Sequence, residues 1–311
     1  MIQVDNVTKY FGPVLAVDHV SFEVNKGEIV GFLGPNGAGK TTTIRILTSY
    51  LPATSGIARV AGHDVMNESM EVRRHIGYLP ESVPLYPEMR VEEYLTYRAK
   101  LKGVERKGRT QRVESCLDRC RIRQVRRRLI GTLSKGYRQR VGLADSMVHD
   151  PPIMILDEPT VGLDPLQIRE TLSLISELGE KRTILFSTHI LSEIEAVCER
   201  VLIIHRGKLS SDRKMKDLSR LEQIWIEVHG PAEQVRNVLI TTDGVEEVIP
   251  RDHADGVSSF EVHTKGGKDL REAIAQRVTR NGWGIRQLDV QRRSVEEHFL
   301  DLVAPQETTN Q

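Results

Sequence analysis

With 311 residues, 39% of them hydrophobic and 28% charged, the chain has material for one large globular domain and a smaller one. Its 44 basic and 43 acidic residues leave a formal charge of +1, which removes any bulk electrostatic drive toward nucleic acid or anionic lipid. Of its three cysteines, Cys116 and Cys120 could share a helix face, but no second pair completes a tetrahedral metal site. They and Cys198 therefore read as reduced, half-buried thiols of a cytosolic protein.

The start, "MIQVDNVTKYFG", has neither the basic residues nor the apolar run of a signal peptide. The longest apolar stretches, such as "IVGFLG" and "IMIL", are strand-length, far short of the ~20 residues a membrane helix needs. A cytoplasmic protein is expected, held at a membrane only through a partner.

Residues 1 to about 30 alternate polar and apolar in short runs, split by Gly12-Pro13 and Lys26-Gly27, which predicts antiparallel strands and turns. From Glu28 the pattern changes. "EIVGFLG" precedes a helix over "KTTTIRILTSYL", "IMILDEP" precedes one near Leu166 to Leu178, "TILFSTH" precedes another, and "RVLIIHRGKL" closes the set. Apolar strands alternating with helices predict a parallel sheet covered on both faces. Between Val91 and Arg140 only charged and helical sequence appears, which predicts a helical subdomain over about 82–145, inserted into the α/β core.

Beyond about Leu221 the order reads strand, helix, strand, strand, helix, strand, the ferredoxin-like arrangement. A last short helix over "SVEEHFLDLV" and a disordered tail over 304–311 are expected after it. The chain thus divides into 1–220, 221–303 and the tail. The second part shows no catalytic pattern, and His229, His253, His263 and His298 lack ligand spacing.

"GPNGAGKTTT" satisfies the G-x-x-x-x-G-K-[ST] pattern over Gly34, Pro35, Asn36, Gly37, Ala38, Gly39, Lys40 and Thr41, with Thr42 following. An apolar strand before it and a helix after it supply the context of a phosphate-binding P-loop. Backbone N–H groups curl round the β-phosphate, Lys40 reaches the β- and γ-oxygens, and the Thr41 hydroxyl ligates Mg²⁺. "IMILDEP" ends a buried strand in Asp157 and Glu158, whose side chains must point in different directions. One can hold Mg²⁺ through water while the other acts as a general base on the attacking water. "LSKGYRQRVGLA" opens a helix with Ser134 at the N-cap and Gly136 just inside, a second anion site in the same domain.

Over residues 1 to about 220 these motifs, in this order, resemble the ATP-binding cassette family, the nucleotide-binding subunits of ABC transporters. The implied fold is α/β: a P-loop NTPase core with an antiparallel β subdomain and an inserted helical subdomain. The C-terminal α+β (ferredoxin-like) domain is added to it. The resemblance explains the second anion site. Family members dimerise head to tail, and "LSKGY", standing where "LSGGQ" is usual, would contact ATP on the partner's P-loop through Ser134 and Gly136. Lys135 departs from that wording, and its ammonium is expected to add attraction to the phosphate.

Further roles are implied by position. Phe11 matches the aromatic that stacks on adenine, Asp164 in "VGLD" the loop coupling the two sites, and His189 the switch histidine that meets the γ-phosphate. Glu81 in "IGYLPESVPLY" stands where a Gln usually ligates Mg²⁺, and a carboxylate can do the same through oxygen. This wording is similar to the branch carrying drug-efflux, gliding-motility and copper-site-maturation cassettes. The implied function is ATP hydrolysis by a homodimeric subunit of an exporter, with ATP and Mg²⁺ bound. A separately encoded integral membrane permease would be its partner on the inner face of the cell membrane. A soluble, non-transport ATPase acting on nucleic acid or ribosomes is the alternative, disfavoured by the near-zero charge and the single cassette. The basic run "RCRIRQVRRRL" reads as a solvated helix-and-loop face.

Overall fold

The computed structural model describes residues 1–218, 222–254, 256–265 and 268–292. The expected last helix and tail lie outside them. Two compact units form, Met1–Arg213 and Lys214–Gln311, so the division falls ahead of residue 220.

In the first unit, β1 (Ile2–Phe11) and β2 (Val14–Val24) form a hairpin with Ile2 opposite Val24 and Phe11 opposite Val14. β3 (Ile29–Leu33) leads through the glycine-rich turn into α1 (Lys40–Leu47). β4 (Ser55–Val60) returns to pair with β1, and β5 (His63–Asp64) pairs with β4, completing an antiparallel sheet ordered β2-β1-β4-β5. α2 (Ser69–His75) runs directly into β6 (Ile76–Leu79).

The inserted helices are α3 (Val91–Leu101), α4 (Arg106–Arg119) and α5 (Lys135–Met147), with no strand among them. The core resumes with β7 (Ile153–Asp157), α6 (Pro165–Gly179), β8 (Thr183–Thr188), α7 (Leu191–Val197), β9 (Arg200–His205) and β10 (Lys208–Lys214). The central sheet has the order β10-β9-β3-β8-β7-β6, and the pairs from β9 to β6 are parallel. Every residue of β7 and β8 is buried, as a sheet covered on both faces requires. Phe22 of β2 and Phe32 of β3, with ring centroids 5.8 Å apart, join the two sheets in one core.

A buried charged cluster holds the inserted helices together. Asp145 of α5 accepts from Arg98 Nε of α3 at 2.9 Å, stands 3.0 Å from Lys102 Nζ, and accepts from the Tyr94 hydroxyl at 3.3 Å. The basic run is solvated, with Arg119, Arg121, Arg123, Arg127 and Arg128 exposed, but two of its arginines also pair with acids of the helices. Arg126 is tied to Glu92 and Glu114, and Arg123 to Glu114 and Asp118, so the run braces the helices. All three cysteines are buried rather than half-buried; Cys116 and Cys120 lie where the end of α4 packs on α5, with Cys120 Sγ 3.7 Å from Met147 Sδ. Burial pushes the Cys116 thiol up to about 11, and the other two higher.

The second unit contains α8 (Met215–Leu218), β11 (Glu222–His229), α9 (Ala232–Ile240), β12 (Val245–Ala254), β13 (Val257–Thr264), α10 (Arg271–Arg280) and β14 (Gly284–Arg292). Its sheet order, β12-β13-β11-β14, is antiparallel throughout, the ferredoxin-like arrangement. Ile226, Phe260, Val262, Ile274 and Val278 centre its own core.

Candidate active site

The C-terminal ends of β3, β7 and β8 lie side by side, with Leu33 opposite Thr188 and Asp157 opposite Ser187. Ligands of doubly wound sheets collect beyond such strand ends. An open cleft of about 330 Å³ sits there, its walls including Asn36, Gly37, Lys40, Thr41, Glu158 and His189. Thr42 and Glu81 also line it.

The loop from Gly34 to Gly39 is shaped by close backbone approach. Gly39, the N-cap of α1, adopts φ 107°, and a Cβ there would stand 2.7 Å from the Ala16 carbonyl. A Cβ on Gly34 would stand 2.4 Å from the Ile204 carbonyl. Neither position tolerates a side chain. Pro35 is half-buried beside Lys40, while Ala38 is buried beneath the loop and anchors it to the core.

Lys40 is folded onto this loop. Its ammonium, with the side chain 6% exposed, donates to the carbonyls of Gly34 at 2.6 Å and Pro35 at 3.2 Å. It also stands 3.2 Å from Glu158 Oε1 as an ion pair without hydrogen-bond geometry, because Oε1 has no hydrogen-bond partner. Glu158 Oε2 lies 3.0 Å from His189 Nδ1. Glu158 follows β7 with φ 48°, a left-handed conformation that costs a non-glycine residue about 1–3 kcal/mol. That turn sends its carboxylate away from Asp157.

Asp157 faces α1. Its Oδ1 accepts from the Ser187 hydroxyl at 2.6 Å and from the Thr41 hydroxyl at 3.3 Å, while Oδ2 is buried without any partner. Burial holds this carboxyl above its ordinary range against both hydrogen bonds, and the nearby Glu81 and Glu158 charges push the same way. An orphaned carboxylate oxygen beside a threonine hydroxyl, with excess negative charge, suits a hard divalent cation. Thr41, Asp157 and Glu81 thus fit Mg²⁺.

Ser187 is the contributor that sequence reading missed. It donates to Asp157 and accepts from the Glu158 N–H at 3.0 Å, fixing the Asp157 carboxylate and the backbone that carries Glu158. The signal was present in "TILFSTH", because alternate strand residues share a face and Ser187 sits two before His189.

The remaining expected residues stand outside this cleft. Phe11 ends β1, 47% exposed, with Lys9 Nζ 5.2 Å from its ring centroid. Ser134 caps α5, accepting from the Tyr137 N–H at 3.4 Å. Gly136 packs so closely on α6 that a Cβ would stand 2.4 Å from Gln167 Oε1. Asp164 caps α6, accepting from the N–H groups of Leu166 at 3.0 Å and Gln167 at 2.9 Å. The exposed Lys135 side chain lays its ammonium against Gly162 of its own chain, 2.0 Å from where a Cβ there would stand. Among the described residues no helix is long and apolar enough to cross a membrane.

Comparison with known proteins agrees with this geometry. Residues 17–161 match the ABC transporter family. The bacitracin transport ATP-binding protein BcrA of Bacillus licheniformis is 32% identical over 97% of both chains. The probable multidrug ABC transporter ATP-binding protein YbhF of Escherichia coli is 37% identical over 70% of this chain and 38% of its own. Among solved structures, an ATP-binding subunit of an ABC transporter superposes with TM-score 0.65 at 31% identity, over 71% of this chain and 92% of that one. The bacterial cassette MJ0796, solved as a dimer, superposes with TM-score 0.64 at 26% identity, over 69% of this chain and 99% of that one. By sequence, fold and site, the chain belongs to the ABC transporter family as an ATP-binding subunit.

Proposed function

We propose that this chain hydrolyses ATP to ADP and phosphate as the motor subunit of an exporter. It would work as a homodimer that closes around two ATP molecules and drives a separately encoded membrane permease. The observation that carries hydrolysis is Glu158, a buried carboxylate held between Lys40 and His189 at the mouth of the P-loop.

Phosphate oxygens arriving at the loop offer Lys40 better partners than two carbonyls, since charge-assisted bonds are the strong ones. The ammonium exchanges Glu158 for the β- and γ-phosphates, and the freed Oε1 accepts a proton from the water attacking the γ-phosphorus. His189 orients that carboxylate through Oε2 and lies where it can meet the γ-phosphate. Thr41, Asp157 and Glu81 would hold Mg²⁺, which when bound would supply positive charge to offset that of the phosphates. Phe11 offers a stacking face for the adenine. Ser134 and Gly136 serve the nucleotide on the partner's loop, and Asp164 stands where the two sites communicate.

Bacitracin transport and multidrug transport, the roles carried in the relatives' names, support a transport motor. A charge of +1 gives a nucleic-acid partner no support. Glu158→Gln is the test: turnover should fall at least a hundredfold while ATP affinity persists, with an ATP-dependent dimer accumulating on size-exclusion chromatography. Near-normal turnover would remove Glu158 as the base.

A further inference from the structure

Away from the cleft, β5 and α2 bring His63, Glu71 and His75 together. One ring nitrogen from each histidine and one Glu71 carboxylate oxygen lie within 4.8 Å of one another. Glu71 and His75 are one helical turn apart and share a face of α2, while His63 comes across from the hairpin strand. The two rings lie 5.3 Å apart with planes inclined by 31°.

Both rings are already oriented. His63 Nδ1 is 3.0 Å from Glu68 Oε1, and His75 Nδ1 is 2.8 Å from the Glu71 backbone carbonyl. A carboxylate and a carbonyl only accept, so each neutral ring carries its proton on Nδ1 and its lone pair on Nε2. Glu68 is fixed in turn by accepting from the Asp64 N–H at 2.9 Å. A histidine whose far nitrogen donates to carboxylate or carbonyl is the usual preparation for ligating a metal.

We propose that Nε2 of His63, Nε2 of His75 and the Glu71 carboxylate form a site for a divalent transition metal ion of the Zn²⁺ class, with one coordination position open to water. Imidazole and carboxylate donors select Zn²⁺, Co²⁺ or Ni²⁺, whereas Mg²⁺ demands an oxygen octahedron. Ligands about 2.0–2.1 Å from a tetrahedral ion stand about 3.3 Å apart, so small rotations of these half-buried side chains close the gap. Arg74 competes by donating to Glu71 Oε1 at 2.5 Å, but Arg74 is largely in solvent and the pair is weak. A bound ion would staple β5 to α2. Since α2 runs into β6 and on to Pro80 and Glu81, the staple would stiffen the segment that carries Glu81 to the cleft.

The untagged full chain, stripped with a chelator and without nucleotide, is titrated with Co²⁺ and with Zn²⁺. The expected result is one equivalent bound, with visible Co²⁺ absorption and a Zn²⁺-dependent rise in the unfolding midpoint. His63→Ala and His75→Ala should each weaken binding about a hundredfold and Glu68→Gln about tenfold, with His189→Ala leaving it unchanged. Metal-free unfolding midpoints matching the wild type would show that the variants fold. A variant-free check uses long-range ¹H–¹⁵N spectra of the wild type, in which one equivalent of Zn²⁺ should shift Nε2 of two histidines. The proposal is overturned if those resonances stay put, or if the His63→Ala/His75→Ala double variant binds Zn²⁺ as the wild type does.

Discussion

Replacing Asp145 by Asn should destabilise the first unit by about 2–3 kcal/mol at pH 7. Removing one partner of a buried ion pair costs about 3–5 kcal/mol when the other charge is left stranded. Here the Arg98 and Lys102 side chains retain 30% and 19% exposure, so water takes over part of the lost interaction and the lower figure applies. Burial pushes the Asp145 carboxyl up, but the charges and hydrogen bonds of Lys102 and Arg98 more than offset it and hold the group below its ordinary value. A carboxyl lowered on folding contributes stability that is complete above its unfolded pKa, about 3.9. That contribution is lost as pH falls through the folded value. The gap between wild type and Asp145→Asn should therefore be flat from about pH 5 to pH 8 and narrow below about pH 4. Urea unfolding followed by circular dichroism measures it. A gap under about 0.5 kcal/mol at pH 7, or one that widens in acid, would refute the cluster's role.

Two substitutions probe the cleft. Lys40→Ala removes the charge that meets the phosphates and should weaken ATP binding roughly 10- to 100-fold by titration calorimetry, the range of one or two charged hydrogen bonds. Unchanged affinity would move the phosphates elsewhere. Glu81→Ala should raise the Mg²⁺ concentration for half-maximal turnover several-fold, while Glu81→Gln, which keeps an oxygen donor, stays near wild type. Identical Mg²⁺ curves for Glu81→Ala and wild type would remove Glu81 from the metal site.

The elements that sequence made legible are those written in short-range patterns. The unbroken apolar runs of β3, β7 and β8, and the strand, glycine loop and helix around Lys40, each declare themselves within a dozen residues. The second unit's alternating strands and helices did the same. Contacts between distant segments left no such trace. Nothing near Glu158 indicates that it turns back with φ 48° to meet Lys40, because that conformation is imposed by its neighbours. Nothing around Asp145 in the sequence marks it as a buried anchor, because Arg98 and Lys102 reach it only once α3 packs against α5. Nor does the sequence around Lys135 indicate that its ammonium lies against Gly162 of the same chain, where no Cβ stands in the way. The close packing of Gly136 on Gln167 carries a practical warning. A larger residue there would first have to displace the Gln167 side-chain amide of its own chain, so Ser134 is the cleaner probe of the dimer.

The proposal that two copies share each ATP is best tested by distance. Ser134→Cys and Asn36→Cys place thiols at exposed positions, and the three native cysteines are buried with raised pKa, so a bifunctional maleimide should react at the introduced sites alone. In the Glu158→Gln background, mixing the two single-cysteine variants with ATP should yield a crosslinked dimer, and omitting nucleotide should abolish it. ATP hydrolysis by the wild type with no such crosslink, under conditions where ATP binds both variants, would contradict a site shared between chains.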